Sequence, residues 1–121
     1  MIEFLLTTEL SAVIASHFVA AAEIHSPHLI DLEVAQVLRR YVRTNTISLA
    51  RAQQALDDFA DMRLVRYPHT FFIARIWQLR HTLTAYDAAY VALAEALNAP
   101  LVTCDRTLAS SSGHRARVLI F

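Results

Sequence analysis

A chain of 121 residues with 55% apolar and 18% charged side chains is long enough for one well-packed domain and too apolar for a disordered segment. Eleven acids balance eleven bases, all of them arginine, so a polycationic coat for nucleic acid is excluded and only a localised basic patch could serve that purpose. The single cysteine cannot form an internal disulfide, and no apolar run approaches the ~20 residues of a membrane span.

In chain order, Leu5, Leu6, Leu10, Val13, Ile14 and Phe18 recur at helical spacing and predict a helix from about Ile2 to Ala22. No basic residue precedes this apolar stretch and Glu3 and Glu9 interrupt it, so a secretory signal is not expected and a cytoplasmic protein is. Glu23 to Ser26 reads as a short extended link, and Pro27 as a turn or helix start. Ile30, Val34, Val37, Leu38 and Tyr41 then form one face of a helix, with Glu33, Gln36 and Arg40 beside it. Read alone, Glu33 is a surface acid that complements the helix dipole or pairs with arginine.

After a polar connection, Ser48 caps a predicted helix over Leu49–Met62 whose buried stripe is Leu49, Ala52, Leu56, Phe59 and Ala60. Asp57, Asp58 and Asp61 on that helix are read as a solvated face rather than a metal cluster. Leu64–Tyr67 is a short strand ended by Pro68, and His69–His81 a helix with Phe72, Ile76 and Leu79 on its apolar side.

The segment 83–105 carries the strongest local signals. Thr84 and Asp87 have the spacing of a capping box, and Asn98 and Pro100 end the helix. Leu101 to Cys104 is then expected to form a buried strand with Asp105 at its end. Cys104, inside that run, is expected to be an inert buried thiol. A Ser-rich turn through Gly113 leads to a last buried strand over 118–121. Helices alternating with short apolar strands predict an α/β fold with a parallel sheet, in one domain over residues 1–121.

No Gly-rich phosphate loop, Cys pair or His-Glu-x-x-His motif is present. The histidines do not fall at ligand spacing: His25 and His28 only flank a proline, and His17 and His114 have no evident partner. What remains are isolated acids at element ends: Glu33, Asp87 and Asp105. Converging carboxylates are what a hard divalent cation needs, and ligands of open α/β sheets gather at the carboxyl ends of strands. Each acid also has a structural role open to it: Asp87 in the capping box, Asp105 in a turn, Glu33 on the surface.

The stretches HLIDLEVAQVLRR, LTAYDAAYVALAEALNAPLVTCDRTLA and RVLIF together resemble the PIN-domain ribonucleases, in particular VapC-type toxins of toxin–antitoxin pairs. That resemblance implies a small α/β/α three-layer sandwich, metal-dependent endoribonuclease activity with Mg²⁺ or Mn²⁺, inhibition by a VapB-like antitoxin, and a homodimer. By motif it assigns the metal to Glu33, Asp87 and Asp105, with Thr103 as a nearby hydroxyl and Asp31 at most behind the ligands. IEFLLTTEL matches the helix that in this family follows a first strand ending in an acid. By the resemblance this strand and its acid are missing before Met1, through a misassigned or cropped start or through a true loss, and neither Glu3 nor Glu9 replaces the acid by motif. Two readings follow: a nuclease toxin, or a catalytically impaired PIN remnant that binds an antitoxin or a second PIN subunit.

Overall fold

The protein is described by a computed structural model covering residues 23–120, so the expected N-terminal helix lies outside the described residues. The elements are β1 (Ile24–Pro27), α1 (Leu29–Arg43), α2 (Leu49–Asp61), β2 (Leu64–Tyr67), a 3₁₀ turn (His69–Phe71), α3 (Ile73–Gln78), α4 (Ala85–Leu97), β3 (Leu101–Thr103), α5 (Arg106–Ser110) and β4 (Val118–Ile120). This is the expected α/β alternation. Among the described residues the strands form two pairs, β1 with β2 and β3 with β4, rather than one continuous sheet. No described helix is long and apolar enough to cross a membrane.

Two compact units divide these elements. The first comprises residues 23–25 and Leu29–Val65, the second Ser26–His28 and residues 66–120. In the first, α1 and α2 pack together. Helix α1 buries Ile30, Val34 and Leu38, the i, i+4, i+8 row its spacing predicts. Ser48 caps α2 as expected, its hydroxyl accepting the Arg51 N–H at 3.1 Å. The buried stripe of α2 is instead Ala52, Ala55 and Phe59. Leu49 is 72% exposed and Leu56 39%, so the helix is rotated from the expected face, with Ala55 inward. Asp57, Asp58 and Asp61 are exposed, and Gln53 and Gln54 donate to the first two of them one turn on.

In the second unit, Leu79, Leu83, Ala88, Val91 and Leu108 form the core, with Ile76, Leu101 and Ala116 packed against it. β3 and β4 run parallel, with Leu101 opposite Val118, Val102 opposite Leu119 and Thr103 opposite Ile120. Both strands are only half-buried, and Ile120 is exposed. That corrects the expectation of buried strands: among the described residues β3 and β4 pair only with each other, so each is an edge strand with an unpaired side.

Three further expectations are revised. Residues 24–27 form a strand, which a segment as polar as Ile-His-Ser-Pro did not announce. Pro27 is tolerated as its last residue, where no further ladder N–H is needed. The expected helix 69–81 is broken at Phe72 (φ −115°, ψ 0°) into a 3₁₀ turn and α3, in a run of bulky aromatic and β-branched residues that are poor helix formers. Cys104 lies just past β3 and is exposed rather than buried.

One ion pair pins the second unit together. Arg75 of α3 donates through Nε and Nη2 to both carboxylate oxygens of Glu95 on α4, at 2.8 and 2.9 Å. This bidentate pair also reaches the loop before β4: Arg75 Nη2 donates to the Gly113 carbonyl (3.0 Å) and the Arg115 N–H donates to Glu95 (2.8 Å). Gly113 sits at φ +89°, a conformation that any side chain would strain. The Glu95 side chain is only 7% exposed, and the Arg75 guanidinium holds its carboxyl down at about 2.

A carboxyl depressed on folding stabilises the fold above its ordinary range and stops doing so as the pH falls through its folded value. Glu95→Gln is therefore expected to cost roughly 1.5–3 kcal/mol at neutral pH, the worth of charge-assisted hydrogen bonds. In melts followed by circular dichroism, the gap between wild type and variant should narrow as the pH is lowered from about 4.5 towards about 2. A gap independent of pH would show that the ion pair does not carry it.

Candidate metal centre

Asp87 is the third residue of α4. Thr84 fixes the start of that helix: its hydroxyl accepts the Asp87 N–H at 3.2 Å. The helix body, rich in Ala, Leu and Val, buries Ala88, Ala89, Val91, Ala92, Leu93 and Ala94, which seats it firmly in the unit. Only this half of the expected capping box forms. Among the described residues the Asp87 carboxylate has no hydrogen-bond partner, so it stands half-buried in the first turn with its oxygens available. The positive end of the helix dipole favours its charge there.

Asp105 follows β3 and caps α5, one carboxylate oxygen accepting the Thr107 N–H at 2.8 Å. Its own N–H donates to the Thr103 hydroxyl at 3.0 Å, so Thr103 shapes the turn that presents the acid. One oxygen of Asp105 is thus committed to the chain, and among the described residues the other is not.

The connection between α4 and β3 decides where these two acids sit. Asn98 adopts the left-handed conformation (φ 49°, ψ 42°). Its N–H bonds back to the Glu95 carbonyl (3.1 Å) and that of Ala99 to the Ala94 carbonyl (3.0 Å), the double bond pattern of a Schellman turn. The chain reverses there, and β3 packs along α4. From Asp87 to Leu97 the helix rises about 15 Å at ~1.5 Å per residue. From Leu101 to Asp105 an extended chain returns about 13 Å at ~3.3 Å per residue. Both carboxylates therefore lie at the same end of the second unit, at the carboxyl ends of the parallel pair β3–β4.

Glu33 belongs to the first unit. It is the fifth residue of α1, exposed, beside the buried row Ile30, Val34 and Leu38, while Asp31 is half-buried in the first turn. Among the described residues no three His, Cys, Asp or Glu side chains are gathered into a cluster that could hold a metal. A magnesium-type cation does not require one: it keeps several waters and takes one or two carboxylates with substrate phosphates. The uncommitted oxygens of Asp87 and Asp105 are hard donors that fit such an ion. Sequence reasoning singled out both acids because each sits beside a local signal, a cap or a strand end. It did not find the Thr107 N–H that orients Asp105, because nothing marked 106–110 as a helix.

Comparison with known proteins identifies the family. The PIN domain family matches residues 1–112. Ribonuclease VapC9 of Mycobacterium tuberculosis is 43% identical over 97 residues, covering 80% of this chain and 76% of the relative. Ribonuclease VapC1 of the same organism is 44% identical over 104 residues (85% and 78%), and Ribonuclease VapC12 is 38% identical over 117 residues (97% and 90%). An α/β chain with acids at the carboxyl end of a parallel strand pair, matched over nearly its whole length, belongs to the PIN-domain family, among its VapC-type members.

Proposed function

We propose that this chain is a divalent-metal-dependent endoribonuclease, the toxin of a toxin–antitoxin pair, acting in the cytoplasm. The observation that carries the reading is that Asp87 and Asp105 lie at the same end of the second unit, the former with no hydrogen-bond partner for its carboxylate among the described residues. The ribonuclease names of the relatives support it. Glu33, Asp87 and Asp105 are the acids that would hold Mg²⁺ or Mn²⁺. When bound, the ion supplies charge neutralisation at the scissile phosphate and lowers the pKa of a coordinated water.

The chain's own residues do the positioning. The Thr84 hydroxyl and the Schellman turn at Asn98 hold Asp87 at a fixed height along α4. The Thr107 N–H holds one oxygen of Asp105, leaving the other to face the ion. Tyr86, 67% exposed beside Asp87, offers a ring on which an unpaired base can stack. Arg106, exposed next to Asp105, is placed to meet a phosphate. A VapB-like antitoxin would silence the enzyme, and two copies would form the working dimer.

The test is cleavage of a panel of labelled RNAs by the purified chain with Mg²⁺ or Mn²⁺. Asp87→Asn should lower cleavage by on the order of 100-fold or more, since even groups behind metal ligands are worth 10–100-fold. Its stability should change by less than about 1 kcal/mol, because only the interaction with the helix dipole is lost. Chelation by EDTA should abolish cleavage by the wild type. Cleavage that survives Asp87→Asn or EDTA would contradict the reading. A wild type that binds antitoxin tightly but cuts none of the RNAs with either metal would instead identify a binding module.

A further inference from the structure

We propose that Arg115 and Arg117 form a second RNA contact, a site for backbone phosphates at the end of the second unit opposite Asp105. The proposal rests on the ribonuclease reading for its ligand, and on different residues for its geometry. A cleft of about 610 Å³ lies between the end of α4 and the segment leading into β4, with Glu95, Asn98, Arg115 and Arg117 among its lining residues.

The segment is built to present two cations on one face. Exposure alternates along it: Arg115 and Arg117 are exposed, while Ala116 between them packs against the core. Alternation of period two is that of extended backbone, so both guanidinium groups leave the same side, their Cα atoms about 6.6 Å apart at ~3.3 Å per residue. Both ends of the pair are anchored by backbone bonds. The Arg115 N–H donates to Glu95, and the Arg117 carbonyl accepts the Leu101 N–H, each at 2.8 Å.

Charge decides what fits. Among the described residues Glu95 is the only acid lining the cleft, and Arg75 already neutralises it through a bidentate pair. Among the described residues neither the Arg115 nor the Arg117 side chain has a hydrogen bond or ion pair. The Arg115 charge helps Arg75 hold the Glu95 carboxyl down but makes no direct ion pair with it among the described residues. Two guanidinium groups on one concave wall therefore suit oxyanions that arginine can grip in pairs of hydrogen bonds. Among the described residues no aromatic ring lines the cleft on which a base could stack, and no large apolar side chain that could enter a lipid layer. The ligand class that remains is the phosphate of a nucleic-acid strand, held without regard to base. In a chain of zero net charge such a pair would supply affinity that the overall field cannot. An RNA held here and at Asp105 spans the run from Leu101 to Asp105, about 13 Å at ~3.3 Å per residue.

The experiment measures binding of a fluorescein-labelled, mixed-sequence single-stranded RNA by anisotropy across a salt series, with EDTA present so that nothing is cut. Replacing both residues (Arg115→Gln with Arg117→Gln) should weaken binding uniformly across sequences. It should also flatten the slope of log K against log salt by about 1.4, from ~0.7 per single-strand phosphate contact. The paired substitution to Lys should keep the slope, separating charge from fold. Arg117→Gln alone leaves the Glu95 contact untouched and should lose about half of the effect. Unchanged affinity and slope in the double Gln variant would overturn the site while leaving the nuclease reading to the Asp87→Asn assay. A wild type with no salt-dependent RNA binding would overturn the site as well. A flattened slope in a chain without metal-dependent cleavage would support the site and count against the nuclease.

Discussion

Everything proposed for the second unit depends on one chain reversal. A helix that ended a turn later, or a strand that left in another direction, would carry Asp87 and Asp105 to different places. The left-handed residue Asn98 stops α4, two backbone bonds close the turn, and Pro100 prevents the helix from resuming. The lengths on either side of the turn then match, about 15 Å of helix against about 13 Å of extended chain. A metal-type site needs its donors held by rigid elements, and here a buried helix and a paired strand hold them.

The same reversal explains why Glu95 matters to residues it does not touch. It stands one turn before Asn98 and gathers Arg75, Arg115 and, through Arg75, the Gly113 carbonyl. The ion pair thus fixes how α3 and the lead into β4 meet the end of α4. It also removes the one negative charge from the wall that Arg115 and Arg117 share. A single carboxylate therefore has a structural role at one end of α4, while at the other end the Asp87 carboxylate has no hydrogen-bond partner among the described residues.

Local features were legible in the sequence, and those needing a distant partner were not. Thr84, Asn98 and Pro100 announced α4 because caps and stops act over three or four residues. Ile30, Val34 and Leu38 announced the buried side of α1. The inward turn of Ala55 was hidden because Leu49 and Leu56 are more apolar, yet tertiary packing and not hydropathy sets which face is covered. The break at Phe72 was hidden by a periodic apolar pattern that continues across it. The Arg75–Glu95 pair spans twenty residues of sequence and leaves no local trace. Of the site itself, the acids could be named from motifs, but their common end required the reversal to be seen, and Glu33 lies in the other unit.

The central claim is that Asp87 and Asp105 are the walls of a cation site and not merely a helix-turn acid and a cap. Paramagnetic Mn²⁺ tests it residue by residue, because amide signals near the ion broaden in NMR spectra of the ¹⁵N-labelled protein. Substoichiometric Mn²⁺ should first broaden residues 84–88 and 103–107, and Mg²⁺ should reverse the broadening. Broadening confined to the exposed acids Asp57, Asp58 and Asp61, or spread evenly over the surface, would contradict it.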